Sequence, residues 1–237
     1  MNLLMTFRVA LRALARHKLR SVLTMLGIII GVGSVITMVG VGQGAAGQVQ
    51  AQIAANGANA LTVSAGSGRS RSMHGSWGST RTLVYDDVEA IRREVGTVKA
   101  VSPRVYTHIQ IVYGNQNWRS RISGVEPVYF HIKDWPMMLG TVFTDEDVEL
   151  ANNVVVIGTE VRDILFGEEE SIGKTVRIKN LPFRVVGVAE HKGPSAEGYP
   201  QDDAVYMPWT TAQKKVTGYT WLNSIQVQAV SAEATAL

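Results

Sequence analysis

The 237-residue chain is 46% hydrophobic and 18% charged with a mean hydropathy of +0.06, too apolar for an ordinary soluble domain and too polar for a polytopic membrane protein. Its net charge of +3 is unevenly divided: Arg8, Arg12, Arg16, Lys18 and Arg20 give the first twenty residues +5, and the remaining 18 bases and 20 acids give −2. The body of the chain therefore has no basic excess to neutralise phosphates, which excludes a nucleic-acid-binding globule, and zero cysteines exclude a disulfide scaffold, a thiolate metal site and a cysteine nucleophile.

Residues 1–20 predict an amphipathic helix. At 100° per residue, Leu3, Leu4, Phe7, Leu11 and Leu14 share an arc of about 100°, and Arg8, Arg12, Arg16 and Arg20 step along another side. Phe7, Arg8, Leu11, Arg12, Arg16 and Arg20 are thus candidate membrane-surface residues on the inner face of a bilayer. Two readings stay open: a topology signal with no further role, or an interfacial helix that a cytoplasmic partner pushes against.

No charged residue occurs between Ser21 and Gly68, and Val22–Val41 is apolar apart from Thr, Ser and Gly. Twenty residues at helical rise span about 30 Å, a bilayer's hydrocarbon core. A transmembrane helix is expected over 21–42, with a cytoplasmic N-terminus by the positive-inside rule and the bulk of the chain outside the cell or in the periplasm. A cleaved signal peptide is the competing reading, with Gly44-Ala45-Ala46 as small-residue context. The long basic segment and the length of the apolar run favour the retained anchor. Gly27/Gly31 and Gly40/Gly44 have the small-xxx-small spacing of helix packing.

Beyond the span, 43–59 reads as a helical extension into water, stopped by Asn56-Gly57. Ala60–Ser64 predicts a strand, and the Gly/Ser-rich 65–80 a loop in which Trp77 is either packed back or offered to a partner. A mixed α/β domain follows from Thr82. Tyr85–Val95 has helical spacing, and Arg104–Tyr113 alternates cleanly into a Gly114-Asn115 hairpin with Trp118–Val125. Further strands are expected at 153–157, 174–178, 183–189, 204–207 and 223–229. Short helices are expected at 144–150, 159–166 and 210–216, each with a Thr as N-cap candidate.

Signals for chemistry are weak. Gly42-Gln43-Gly44-Ala45-Ala46-Gly47 matches GxGxxG, but the next acid is Asp86, far beyond a ribose-binding position, and the preceding apolar stretch is of membrane length. The five histidines lie far apart. Asp145-Glu146-Asp147 reads as the first turn of a solvated helix and Glu168-Glu169-Glu170 as surface loop. His191–Gln201, with Gly193, Pro194, Gly198 and Pro200, suggests an exposed contact loop, and Trp135, Trp209 and Trp221 read as packing residues. No catalytic, cofactor-binding or metal residue is nominated.

The stretch LRALARHKLRSVLTMLGIIIGVGSVITMVGVGQGA closely resembles the first transmembrane segment of MacB-like ABC transporter permeases of the FtsX-type superfamily. The resemblance continues in order through TLVYDDVEAIRREVGTVKAVSP, VYGNQNWRSRISGVEPVYFHIKDWPMMLGTVFTDEDV, VVVIGTEVRDILFG, IGKTVRIKNLPFRVVGVAEHKG and DDAVYMPWTTAQKK, covering essentially the whole chain. It implies an α+β periplasmic domain on a single N-terminal transmembrane helix, with a porter-like α/β part (60–121 and 218–237) and an inserted, mostly β part (122–217). It further implies a homodimeric inner-membrane permease with a periplasmic adaptor and an outer-membrane channel as partners. Because Met1 stands just before the amphipathic helix, a separate ABC ATPase subunit is expected to bind the ATP. The chain ends at Leu237, within a helix expected from Ser231, where the family continues into three more membrane segments, so a fragment or a truncated product is expected. A single-span periplasmic adaptor or sensor and a secreted enzyme behind a signal peptide are the alternatives. The substrate is not legible.

Overall fold

The computed structural model describes residues 5, 18–55, 59–65, 81–195 and 200–231. The readings made for Phe7, Arg8, Leu11, Arg12, Arg16, Asn56-Gly57, Trp77, nearly all of the 65–80 loop and the helix from Ser231 lie outside the described residues. Two compact units divide the chain, residues 1–51 and 52–237.

Helix α1 runs from Lys18 to Ala55. Within it Lys18–Gly47 is long and apolar enough to cross a membrane, and no residue of its most apolar stretch is buried. Thr24, Ser34 and Thr37 return their hydroxyls to the carbonyls of Arg20, Ile30 and Gly33 at 2.7–2.8 Å, which satisfies these polar atoms inside an apolar stretch. The Gly42–Gly47 motif is helical throughout, with no strand-to-helix turn to cradle a phosphate.

The second unit begins as a split βαβ. Strand β1 (Ala60–Ser64), helix α2 (Tyr85–Glu94) and strand β2 (Val98–Tyr113) follow one another, and the last strand, β9 (Ser224–Ala229), lies antiparallel between β1 and β2. Val88 of α2 packs on Val101, Val105, Leu222, Ile225 and Val227. Leu61 and Val63 pair with Val227 and Ile225 yet stay 41% and 38% exposed, at the sheet's edge.

Midway along β2 the pairing changes. Val98–Arg104 pairs with β9, whereas Val105–Tyr113 pairs with β3 (Gln116–Val125), and Gly114, at φ +54°, takes the first turn position between them. The chain then forms α3 (Val128–Ile132), β4 (Met137–Gly140), α4 (Asp145–Glu149), β5 (Val154–Ile157) and α5 (Thr159–Phe166). Strands β6 (Thr175–Ile178), β7 (Leu181–Ala189) and β8 (Ala204–Pro208) follow, then α6 (Trp209–Thr211), which leads into a π-helical turn over Ala212–Thr217. Since β6 pairs with both β7 and β2, the strands β2, β3, β8, β5, β7 and β6 close a six-stranded barrel, which leaves no free edge among them. β4 hangs off β7 outside the ring.

Closure explains two sequence runs that do not alternate. Val155 and Ile157 of β5 and Val205 and Met207 of β8 face the barrel interior with Ile111, Ile122, Ile178 and Phe183. Val154, Val156, Ala204 and Tyr206 point outward, under an aromatic layer of Tyr129, Phe130, Trp135 and Phe143. Both faces are dry, so the runs VVVI and AVYM are apolar throughout.

Several expectations are corrected by the fold. β2 starts at Val98, ahead of the expected Arg104: Pro103 reads against a strand, but tertiary pairing with β9 overrides local preference. The helix α3 and strand β4 are not among the expected elements. Thr144 caps α4 as expected, accepting from Asp147 N–H while Asp147 accepts from Thr144 N–H. Thr159 and Thr210 are inside their helices instead, with Gly158 and Pro208 at the cap positions. Gly158 is required there because an added Cβ would lie 2.1 Å from the Asp202 carbonyl oxygen. The 191–201 loop is partly inward: Ser195 and Gln201 are buried, and the Asp202 carboxylate accepts the N–H groups of Lys192 and Gly193 at 2.8 and 2.7 Å.

Candidate functional site

Two places carry features beyond packing. The first is α1. Arg20, the described member of the membrane-surface set, stands near its start and is exposed. Gly27, Gly31, Gly40 and Gly44 all lie on the helix, and a Cβ added at any of them meets nothing within 4 Å. Their small-residue surface is open to another helix.

The second place is the junction of the split βαβ with the barrel, where Glu126 sits at the end of β3. No acid occurs between Val95 and Val125, so Glu126 is the first carboxylate after a long basic stretch, and it precedes Pro127. This isolation is the signal through which the sequence could have nominated it. Its carboxylate accepts from Tyr85 Oη at 3.2 Å and Arg92 Nη2 at 3.0 Å, and its N–H donates to Ser102 Oγ at 3.1 Å. Tyr85 stacks on Trp209 with centroids 4.4 Å apart and planes 11° from parallel. Helix α2 is therefore tied at one point to β3, β2 and the start of α6. Beside this node lies a cleft of about 520 Å³ lined by both parts, including Lys99, Val128, Asp145 and Glu149.

Burial raises the Glu126 pKa above the usual glutamate value, outweighing Arg92 and Tyr85, which pull it down. Burial, aided by the Glu126 charge, pushes the Tyr85 phenol up to about 12. With its folded pKa raised, the stability Glu126 contributes is full below the ordinary carboxyl range and is lost as pH climbs through the raised value. Glu126→Gln is expected to flatten this descending limb in a pH series of thermal unfolding. Glu126→Ala is expected to cost about 1–2 kcal/mol, since Arg92 is partly exposed and can rehydrate, while Glu89→Ala, which breaks only an exposed i,i+3 pair, should cost less than about 0.5 kcal/mol.

Among the described residues, no three His, Asp, Glu or Cys side chains cluster as metal ligands. Asp145 and Glu149 flank the cleft, and Asp147 is spent on the α4 cap, where hydrogen bonds from Thr144 and Asn152 hold its pKa below the usual aspartate value against the opposing effect of burial. Glu169 is engaged by Lys174 and Tyr113 at 2.6 and 2.9 Å. Trp135 is buried and donates to the Glu190 carbonyl at 2.6 Å, Trp209 lies on Tyr85, and Trp221 stacks on Tyr219 at 3.9 Å. The contacts around Glu126 fasten α2 to the barrel side of the domain.

The chain matches the MacB-like periplasmic core domain over residues 21–237. It is 41% identical over 226 residues to a macrolide export ATP-binding/permease protein MacB of Syntrophobacter fumaroxidans, covering 95% of this chain and 32% of that protein. The corresponding protein of Chlorobium luteolum is 37% identical over 224 residues, covering 94% of this chain and 34% of the relative. The chain thus spans about a third of the length of these relatives. Among solved structures, the periplasmic region of MacB from Actinobacillus actinomycetemcomitans superposes with a TM-score of 0.63 at 25% identity, covering 80% of this chain and 84% of that one. The extracellular domain of the transporter YknZ from Gram-positive bacteria shares the fold, with a TM-score of 0.61 at 19% identity, covering 75% of this chain and 87% of that one. With its apolar N-terminal helix, its mixed helix-and-sheet domain and a match from Ser21 to its last residue, the chain belongs to the family of MacB-like permeases with a periplasmic core domain.

Proposed function

We propose that this chain is the anchored periplasmic part of an ABC exporter permease that relays ATP-driven motion from a separate ATPase subunit to its periplasmic domain. The observation that carries the reading is α1, which is uninterrupted from Lys18 to Ala55 and free of charge from Ser21 onward in a chain of this family. A helix of this length is stiff along its axis, so displacement at its cytoplasmic end reaches its far end with little loss. The basic residues 8–20 supply the inner-face contact, against lipid headgroups and the ATPase. The open glycine surface on α1 suits packing of two permease copies as a homodimer. ATP is bound and hydrolysed by the partner, and this chain is non-catalytic. An adaptor and an outer-membrane channel complete the path on the periplasmic side of the inner membrane.

The test is recovery of the tagged full-length protein from its own cells. It is expected in the inner-membrane fraction, uncleaved, together with an ABC ATPase. A soluble product lacking roughly the first 46 residues would support a secreted protein instead, and an anchored protein with no ATPase would support a single-span adaptor.

A further inference from the structure

The outer face of the barrel differs sharply around its circumference. Behind β5 and β8 it is covered by the aromatic layer, but across β6, β2 and β3 it is bare. On this bare face the cross-strand neighbours are His108 with Arg121, Gln110 with Arg119, and Val112 with Arg177. Their chain neighbours Ile109, Ile111, Ile122 and Ile178 point the other way, into or against the interior cluster, so the facing is fixed by the core.

Elsewhere on the domain some bases find acids, as Arg93 with Glu94, Arg162 with Asp163 and Lys174 with Glu169, while the exposed Lys99, Arg184 and Lys214 form no ion pair among the described residues. On this face, among the described residues, Arg119, Arg121 and Arg177 have no carboxylate within ion-pair distance. Arg121 is half-buried, with its guanidinium on the Pro200 carbonyl at 3.3 Å and against the Tyr206 hydroxyl, so Arg119 and Arg177 are the exposed arginines of the face. Arg119 and Arg121 stand two residues apart on β3 and face Gln110 and His108 on β2, with no acid opposite either, where sheets favour opposite charges. The chain keeps this patch although its body is net negative.

We propose that this face docks the acidic side of an α-helix belonging to a protein partner. Successive outward side chains on one strand stand about 6.5–7 Å apart, close to the roughly 5–6 Å between the Cβ atoms of residues i and i+4 on a helix. Guanidinium forks take carboxylates two-pronged, which fixes the helix's rotation as well as its position. At the end of the row Tyr106 is 39% exposed, with the Arg104 guanidinium 5.3 Å over its ring, and Tyr and Arg are the residue types that anchor interfaces. A lipid surface is a poorer match, because among the described residues of the row Tyr106 alone presents a large exposed hydrophobic side chain to acyl chains. The proposal stands on this face alone and does not depend on the transporter reading.

The experiment uses the full chain in neutral detergent and a fluorescent Ala-rich peptide with Glu at i, i+4 spacing, followed by anisotropy. A peptide of the same composition broken by prolines is the control. The helical peptide is expected to bind, and to lose at least about tenfold in affinity on Arg119→Glu with Arg177→Glu, and again on raising salt from about 50 to 300 mM. Arg119→Gln should give a smaller loss, and Lys214→Glu none. Both arginines are exposed and free of ion pairs among the described residues, so the melting temperature should be unchanged in these variants. Equal binding of the proline-broken peptide, indifference to the arginine substitutions, or preferential binding to phosphatidylglycerol vesicles would each overturn the proposal.

Discussion

Inserting a ten-residue Gly-Ser segment after Asn56 in the full-length protein is expected to reduce transport to background while the periplasmic domain remains folded. A flexible linker of that length has an end-to-end distance of about 17 Å and fluctuates on that scale, so a displacement of a few ångströms at the end of α1 is absorbed before it reaches residue 60. The informative control is a seven-residue helical insertion at the same place. It lengthens the rod by about 10 Å but preserves its stiffness and very nearly its rotational phase. A relay predicts substantial transport with the helical insertion and none with the flexible one. Substrate export from cells, with membrane-fraction blots to equalise expression, is the measurement. Undiminished export with the flexible insertion would end the relay reading, and equal loss with both would point to the length of the connection in place of its stiffness.

A second large effect is expected at Tyr206. The side chain is fully buried on the outer wall of the barrel, with the rings of Trp135, Phe130 and Tyr129 at 5.3, 5.4 and 5.8 Å, and its hydroxyl donates to the Gln201 carbonyl at 3.4 Å. Burial pushes its phenol pKa strongly upward, so it stays neutral across the physiological range. Tyr206→Ala removes a whole ring from a layer that cannot collapse without moving α3, and is expected to cost about 3–5 kcal/mol. Tyr206→Phe keeps the ring and loses the long hydrogen bond to Gln201 and the one from Arg121, at an expected cost of about 1–2 kcal/mol. Chemical denaturation followed by tryptophan fluorescence reads both, since Trp135 belongs to the same layer. If the alanine variant lost under about 1 kcal/mol, the aromatic layer would be a loose cover and not part of the core.

What could be read along the chain follows from how local each cause is. The limits of the apolar span, the strand at Ala60–Ser64 and the helix beginning at Tyr85 rest on runs and periods that neighbouring residues alone supply. The capping of α4 by Thr144 was legible for the same reason, because both partners of the cap lie within four positions. Family likeness was equally legible, since it is carried by several ordered blocks. Less accessible were features made by residues far apart in sequence. The first half of β2, Val98–Arg104, is a strand because it pairs with β9, more than a hundred positions downstream. Glu126 was passed over because its partners Tyr85, Arg92 and Ser102 converge only when α2 folds back on β2.

By itself, then, the sequence determined that an uncharged, bilayer-length helix stands ahead of a water-soluble α+β domain, because hydropathy and local period act within a few residues of where they are written. Only the tertiary structure decided that β6 returns to β2 and closes a barrel, that Val154–Ile157 is dry on both faces, and that Arg119, Arg121 and Arg177 line up on one bare wall. Strand register is the physical reason. A strand's side chains alternate whatever its neighbours, but which alternate set meets the core, and which basic residues become neighbours, is fixed by pairings between segments that lie far apart in the sequence, as Ile111 with Ile178 and Pro103 with Ile225.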